Sequence, residues 1–275
     1  MPELKTQPPS SKMFQLSFPT PNILLMTINR PKAMNSIPMA GHWEAASILD
    51  WFDSEPSLRV AIVTGAGKKA FSAGQDLIEL SSVKKSPGKE GSHPSSGFLG
   101  ISKRIGKKPI IAAVNGFALG GGFETCLNCD MVVASPLATF GLPEAQVGLY
   151  AAAGGLPRIV RTCGLHIASE IALTGRRLTA QEAFSYNVVN KVSQSPEAVV
   201  GDAVDLAMKV AAISPDAAIV TRHGLREAWN EGSVETAAKN TSDRYTDGLF
   251  QGENFKIGVD AFARKAKPEW VPSKL

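Results

Sequence analysis

Cysteines and long apolar runs are both scarce in this chain. Three cysteines in 275 residues cannot all pair, and a chain of this length does not depend on disulfides, so we expect a reducing compartment. The longest apolar stretch, residues 109–123, is interrupted by Asn115 and four glycines, whereas a membrane-spanning helix needs about 20 apolar residues. We therefore expect no transmembrane helix.

Dense clusters of basic residues are also missing. The net charge is only +4, from 29 basic and 25 acidic side chains, and no run of Lys and Arg resembles those of nucleic-acid-binding proteins. The balance suits a small anionic ligand better than DNA or RNA. Residues 1–12 lack both a basic flank with an apolar stretch and an Arg-rich amphipathic pattern, so no secretory or mitochondrial signal is expected.

The residues that are present suffice for one α/β domain. Hydrophobic residues make up 44% of the chain, enough for a substantial core. The polar, proline-containing residues 1–12 predict a flexible leader, and the domain begins near Met13 with a strand that starts at Phe14. Strand patterns at 23–28, 60–64, 110–114 and 131–134 alternate with helical patterns at 39–53 and from about Gly122. This order predicts a layered α/β fold.

The C-terminal part of the sequence is helical. Helical periodicity appears at 203–213, 217–229, 234–249 and 254–266. We therefore divide the chain into a leader (1–12), an α/β core (13–195), a helical region (196–267) and a tail (268–275). Within the core, residues 81–97 are rich in turn-forming residues and predict a mobile surface loop.

The tail ends in Ser273-Lys274-Leu275, which has the form of a peroxisomal address. It follows a loop-like segment with prolines at 268 and 272. The alternative interpretation is a solvated tail that happens to contain these three residues. We expect recognition by the peroxisomal import receptor and a peroxisomal location.

Two short motifs point weakly to other functions. Residues 65–70 fit the spacing of a dinucleotide-binding fingerprint, but further turn residues follow them instead of an amphipathic helix. Cys126 and Cys129 form a single C-x-x-C pair inside a predicted helix, without a second pair of ligands for a metal. We expect small core residues there and no metal site. No Gly-x-Ser-x-Gly elbow or Ser/His/Asp set is found, so nucleophilic catalysis has no support.

Two glycine-centred turns carry a stronger signal. Each follows a predicted strand, at residues 71–77 and 115–124. Three consecutive glycines at the start of a helix leave backbone N–H groups accessible, and the helix dipole favours negative charge there. The arrangement predicts a site for an anion or oxyanion. Close packing of a helix on a strand is the alternative, and it explains one glycine better than three.

Glu124 and Glu144 are the candidate acid/base residues. Glu124 falls in the first turn of the helix after the glycines, and Glu144 lies in a turn after the next strand. An isolated Glu is usually a solvated surface charge, but apolar residues and glycines flank both positions. Burial there would raise the carboxyl pKa values into a useful range for proton transfer.

Five motifs in order make the chain resemble the crotonase, or enoyl-CoA hydratase/isomerase, family over nearly its whole length. They are NRPKAMN (29–35), FSAGQDL (71–77), GFALGGG (116–122), FGLPE (140–144) and GGLPR (154–158). The resemblance implies a spiral of ββα turns followed by the helical region, which would serve in oligomerisation. It also implies a homotrimer or a dimer of trimers.

The resemblance assigns roles to individual residues. The backbone N–H groups of Gln75 and Gly121 would bind the thioester oxygen as it becomes an oxyanion, for which the Gln side chain is not needed. Coenzyme A would lie against Ala73, Asp76, Leu77, Ile78 and Lys32. Phe262 and Lys265 from a neighbouring subunit would cover its adenine.

In the hydratases of this family, Glu is present at both positions that match Glu124 and Glu144. The pair would activate the water added at C3 and deliver a proton to C2, with coenzyme A as part of the substrate and no separate cofactor. The expected function is therefore a trans-2-enoyl-CoA hydratase. Alternatives are an enoyl-CoA isomerase, a hydroxyacyl-CoA dehydratase of a secondary pathway, or a non-catalytic CoA-binding scaffold. Residues 148–155 depart from the usual hydratase pattern, which bears on acyl-chain specificity.

Overall fold

The computed structural model describes residues 3–82 and 92–275, without the side chains of 80–82. Two sheets form the core. The larger has the order β1 (Phe14–Thr20), β2 (Ile23–Ile28), β3 (Val60–Gly65), β5 (Ile110–Val114), β7 (Met131–Ala134) and β10 (Lys191–Val192), and only its β1–β2 pair is antiparallel among the described strands. The smaller has the order β4 (Ala70–Ser72), β6 (Phe117–Leu119), β8 (Thr139–Gly141) and β9 (Leu178–Thr179), with β9 antiparallel to β8.

Helices connect and cover the sheets. They are α1 (Met39–Ser54), α2 (Leu77–Ser82), α3 (Gly121–Asn128), α4 (Gly155–Cys163), α5 (Leu165–Thr174), α6 (Ala180–Ser185), α7 (Val199–Ala211), α8 (Pro215–Asn230), α9 (Val234–Gln251) and α10 (Glu253–Ala263). The chain repeatedly places one strand in the larger sheet and the next in the smaller, and then forms a helix, as in β3–β4–α2 and β5–β6–α3. The predicted α/β spiral of ββα turns with a helical C-terminal region is confirmed. None of the helices in the described ranges is long and apolar enough to span a bilayer.

The larger sheet is buried on both faces. Along β3, Ala61 and Val63 face the main core, whereas Val60 and Ile62 pack against α7. Alanines at 203, 207 and 211 repeat every four residues along α7 and let the helix approach the sheet closely. A strand covered on both faces has a continuous apolar sequence. This is why β3 and β5 could be predicted although apolar and polar residues do not alternate along them.

The structure differs from the sequence predictions at several places. Residues 65–70 lead into strand β4, not into a helix, so they do not form a dinucleotide-binding turn. The last predicted helix ends at Ala263, three residues early, and Lys265 takes a left-handed conformation with φ 53°. Residues 81–82 of the predicted surface loop belong to α2, and residues 83–91 lie outside the described part of the chain.

Both ends of the described chain contact the body of the protein. The backbone N–H groups of Lys5 and Thr6 donate to the carboxylate of Glu55, at 3.1 and 2.9 Å, so hydrogen bonds hold part of the segment predicted to be a flexible leader. In the tail, Lys107 Nζ donates to the carbonyl oxygen of Leu275 at 2.9 Å. The half-buried Leu275 side chain lies near Gly248 of α9.

Candidate active site

The carboxyl ends of three neighbouring parallel strands, β4, β6 and β8, bring the candidate residues together. Gln75 follows β4, Gly121 begins α3 after β6, and Glu144 follows β8. Strands that run in the same direction place the turns after them at one edge of the sheet, where ligands of α/β proteins commonly bind. The sheet topology therefore positions the site.

Two backbone N–H groups at this edge lack acceptors. Gly74 has φ +92°, and a Cβ on it would lie 2.9 Å from the Leu119 carbonyl oxygen and 3.3 Å from the Gly121 nitrogen. Glycine thus allows the turn after β4 to approach the start of α3. Within the described residues, neither the Gln75 nor the Gly121 N–H donates a hydrogen bond to the chain. Both are available to an oxyanion.

Glu124 is almost completely buried in α3, with 3% of its surface exposed. The backbone N–H of Gly155 donates to its Oε1 at 2.8 Å. Burial raises the pKa of Glu124 to about 7; the Gly155 N–H acts against this rise, and the negative charge of Glu144 adds to it. Glu124 can therefore gain or lose a proton near neutral pH.

Glu144 opens the single helical turn Glu144–Val147 and lies beside the glycine turn. A Cβ on Gly120 would lie 3.2 Å from Glu144 Oε1, so Gly120 leaves room for this carboxyl group. Burial raises the pKa of Glu144 as well. Its Oε2 is buried and has no hydrogen-bond partner among the described residues. An acid with an unpaired oxygen is available to bind a ligand proton or donate one.

These groups line one cavity of about 400 Å³. Its other walls are largely apolar and include Met39, Leu77, Phe98, Val147, Leu149 and Ala152. A cavity of this size can hold a short acyl chain. Two carboxyl groups with raised pKa values beside two free N–H groups can move protons while they stabilise a developing oxyanion.

The predicted coenzyme A residues divide into two groups. Ala73 and Leu77 line the cavity. Asp76 pairs with Arg30 at 3.0 Å, whereas Lys32 is exposed in the short turn Pro31–Ala33 and Ile78 is 84% exposed. Coenzyme A binding by this set stays a prediction.

Phe262 and Lys265 lie apart from the cavity lining, on and just after α10. Phe262 is 87% exposed, and Lys265 is exposed as well. Their contact with the adenine of coenzyme A bound to a neighbouring subunit stays a prediction.

Two residues near the site were not predicted. A Cβ on Gly121 would lie 2.6 Å from the ring of Phe98, so this ring packs directly against the glycine turn. His42 is buried in α1, and its Nε2 lies 2.9 Å from Gln75 Oε1. No local sequence pattern links a single His in a helix to Gln75, which is 33 residues away along the chain.

The cysteine pair has no visible part in this site. Cys126 is buried and Cys129 partly so, both are free, and burial raises the pKa of both thiols. In the described ranges, no cluster of three or more Cys, His, Asp or Glu side chains could hold a metal ion.

Comparison with known proteins identifies the family. Residues 20–272 match the family model described as enoyl-CoA hydratase/isomerase. The chain belongs to the enoyl-CoA hydratase/isomerase family. A mevalonyl-coenzyme A hydratase from Aspergillus fumigatus is 46% identical over 94% of this chain and 95% of its own length. A carnitinyl-CoA dehydratase from Proteus mirabilis is 36% identical over 90% of this chain and 95% of its own length.

Solved structures of the enoyl-CoA hydratase/isomerase family also resemble the chain. The crystal structure of an enoyl-CoA hydratase from Mycobacterium tuberculosis superposes with a TM-score of 0.86 at 33% identity, and it covers 96% of this chain and 100% of its own. The protein is therefore an enzyme of the enoyl-CoA hydratase type. It catalyses hydration or dehydration of an acyl-CoA thioester.

Proposed function

We propose that the protein catalyses the reversible loss and addition of water across C2 and C3 of a branched, hydroxylated acyl-CoA, with mevalonyl-CoA as the favoured substrate. The observation that carries the reaction is that Glu124, Glu144 and the turns of Gln75 and Gly121 line one cavity. The substrate is supported by the 46% identity to a mevalonyl-CoA hydratase over 94% of the chain.

The two backbone N–H groups act on the thioester oxygen. When a proton leaves C2, negative charge moves onto this oxygen, and the Gln75 and Gly121 N–H groups bind the resulting enolate. Donors that are fixed in place before the reaction need no rearrangement as the charge develops. Gly121 is the first residue of α3, so the helix dipole adds to the stabilisation.

The two glutamates divide the proton transfers. In dehydration, the Glu144 carboxylate takes the C2 proton, and protonated Glu124 donates to the C3 hydroxyl group, which leaves as water. In hydration, the Glu124 carboxylate takes a proton from water as its oxygen bonds to C3, and protonated Glu144 donates to C2. The pKa of Glu124, raised to about 7, suits both directions. Coenzyme A is part of the substrate, and these steps require no other cofactor.

An enoyl-CoA isomerase is the second candidate within the family. An isomerase moves one proton between C2 and C4, for which one carboxyl group suffices. The hydrogen bond from Gly155 and the burial of Glu124 in the same cavity as Glu144 favour a reaction with two acid/base groups. The same features argue against a non-catalytic scaffold, because buried carboxyl groups without a role are unfavourable.

Location and assembly form a further part of the proposal. The terminal Ser273-Lys274-Leu275 supports peroxisomal import. The exposure of Phe262 and of other apolar residues on the C-terminal helices, such as Leu225 at 70%, supports subunit contacts in a trimer or a dimer of trimers. Light scattering on the purified protein distinguishes these two assemblies from a monomer.

The decisive experiment is a substrate series. The conjugated 2-enoyl thioester has an absorption band that its hydrated product lacks, so hydration is followed as a loss of absorbance in that band. The series contains crotonyl-CoA, longer straight-chain enoyl-CoA esters and anhydromevalonyl-CoA, and dehydration of mevalonyl-CoA is measured in reverse. The proposal expects the highest kcat/KM for the mevalonyl pair. A preference for long straight chains would refute the substrate assignment, and isomerisation without hydration would refute the reaction.

A further inference from the structure

The side-chain amide of Gln75 has an orientation that its hydrogen bonds determine. His42 Nδ1 accepts a hydrogen bond from the Leu99 backbone N–H at 3.0 Å. Because burial lowers the pKa of His42 to about 3, the ring is neutral and its single proton must lie on Nε2. That N–H donates to the Gln75 oxygen 2.9 Å away, and His93 Nε2 lies 3.2 Å from the same oxygen. The amide oxygen of Gln75 therefore faces the two imidazoles.

The amide nitrogen of Gln75 is left without an acceptor. Gln75 Nε2 is buried and has no hydrogen-bond partner among the described residues. Since the oxygen is held by His42, a flip of the amide would leave the His42 proton unpaired, so it brings no relief. A buried polar group without a partner destabilises a protein by about 1–3 kcal/mol. Such a group is expected where a ligand completes the hydrogen bond.

The surroundings of Gln75 indicate what kind of ligand this is. The residue lines the cavity, where its neighbours Met39, Leu77 and Phe98 are apolar. A plain hydrocarbon chain would pack against these walls but would leave Gln75 Nε2 unpaired. An oxygen atom on the acyl chain would satisfy it. Gln75 lines the same cavity as Glu124 and Glu144, which the acyl group enters in the proposed reaction.

We propose that Gln75 is the specificity-determining residue for an oxygen-bearing acyl chain, with its Nε2 donating to a hydroxyl group beyond C3, such as the C5 hydroxyl of a mevalonyl chain. This inference rests on the proposed function and adds a second role to Gln75. Its backbone N–H stabilises the oxyanion, a task that needs no particular side chain, and its side chain selects the substrate. His42 is the positioning residue that holds the amide in the selective orientation.

The test compares two 2-enoyl thioesters that differ only in the C5 hydroxyl group: 5-hydroxy-3-methylpent-2-enoyl-CoA and 3-methylpent-2-enoyl-CoA. The readout is the ratio of their kcat/KM values, in which any general loss of activity cancels. The wild type is expected to prefer the hydroxylated substrate roughly ten- to hundredfold, because the plain chain leaves a buried donor unpaired. Gln75→Met keeps the size of the side chain and removes the donor. Its ratio is expected to fall to about one.

Gln146→Met is the matched control. Gln146 lines the same cavity, but its Nε2 already donates to the Thr174 carbonyl oxygen at 2.9 Å. The ratio should therefore stay at the wild-type value. If Gln75→Met is too slow to assay, calorimetric affinities for the two thioesters measure the corresponding discrimination in ground-state binding.

The outcomes separate the two proposals. A wild type inert toward both thioesters overturns the proposed function. An active wild type that does not discriminate between them, or a Gln75→Met variant that keeps the wild-type ratio, overturns the role of the Gln75 side chain and leaves the hydration chemistry intact.

Discussion

The backbone N–H of Gly155, the first residue of α4, donates a 2.8 Å hydrogen bond to Glu124 Oε1. A Cβ on Gly155 would lie 2.6 Å from Glu124 Cγ, so only glycine permits this contact. The bond fixes the orientation of a carboxyl group that has to meet a water molecule or a hydroxyl group. Gly155 is therefore a positioning residue for Glu124.

Gly155→Ala should displace the Glu124 side chain and lower kcat by about 10²-fold, because small displacements of a catalytic group are costly to the rate. The measurement is steady-state hydration of the preferred enoyl-CoA. Gly201→Ala in α7 serves as control, since a Cβ there meets no atom within 4 Å. That variant should keep wild-type activity and gain about 0.5–1 kcal/mol of stability. Equal activity in both variants would contradict the positioning role of Gly155.

Glu124→Gln and Glu144→Gln should each reduce hydration by about 10²- to 10⁴-fold, because each removes one of two proton-transfer groups. Hydration and isomerisation are measured side by side, with affinity for an acyl-CoA as a check on the cavity. If the protein is an isomerase, Glu124→Gln will retain most of the isomerase activity while Glu144→Gln abolishes it. Hydration that is insensitive to Glu124→Gln would exclude this residue from the mechanism.

The raised pKa of Glu124 predicts how stability depends on pH. The folded protein keeps this proton up to about pH 7, whereas the unfolded chain loses it near 4.5. The folded state thus binds more protons between these values, so the free energy of unfolding falls as the pH rises from 4.5 to 7. The difference between the two pKa values corresponds to at most roughly 3 kcal/mol.

Glu124→Gln should remove this dependence. Denaturant unfolding from pH 4 to 8 is expected to show the variant to be more stable than the wild type at pH 8, and nearly equal to it at pH 4. Parallel pH profiles for the two proteins would mean that Glu124 does not carry a proton at neutral pH in the folded state.

Gly121→Val should inactivate the enzyme through the oxyanion site. A Cβ at this position would lie 2.6 Å from the Phe98 ring, so the start of α3 or the ring has to move. Loss of one N–H donor to an oxyanion lowers kcat by about 10²- to 10³-fold. The double variant Gly121→Ala with Phe98→Ala provides room for the methyl group and should recover part of the rate. Circular dichroism verifies the fold, and full turnover in a folded Gly121→Val variant would remove Gly121 from the mechanism.

Deletion of Ser273-Lys274-Leu275 should redirect the protein to the cytosol without loss of activity. The deletion removes the hydrogen bond from Lys107 to Leu275 and the exposed ion pair of Lys274 with Glu253, at 3.4 Å. Exposed ion pairs contribute at most about 1 kcal/mol, so the enzyme should stay folded. The measurement is microscopy of fluorescent fusions at the N-terminus, with and without the three residues. A cytosolic signal from the complete chain would contradict the peroxisomal proposal.

The sequence alone was sufficient for the elements that have strong local patterns. Strands at 110–114 and 131–134 were predicted to the residue, because a strand buried on both faces has an unbroken apolar run. Glu124 was placed in the first turn of a helix because three glycines precede it. The strands of two or three residues, β4, β6, β8, β9 and β10, were missed, since so few residues have no period to detect.

Tertiary structure decided what these elements do together. Glu124 and Glu144 lie in one cavity because β6 and β8 are paired in parallel, and no local pattern states that pairing. The neutral His42 that orients the Gln75 amide is 33 residues from it along the chain. The raised pKa of Glu124 depends on its burial in the folded protein. Side-chain type and spacing thus determined which groups were available for chemistry, whereas long-range contacts, which no local pattern encodes, determined their distances, protonation and partners.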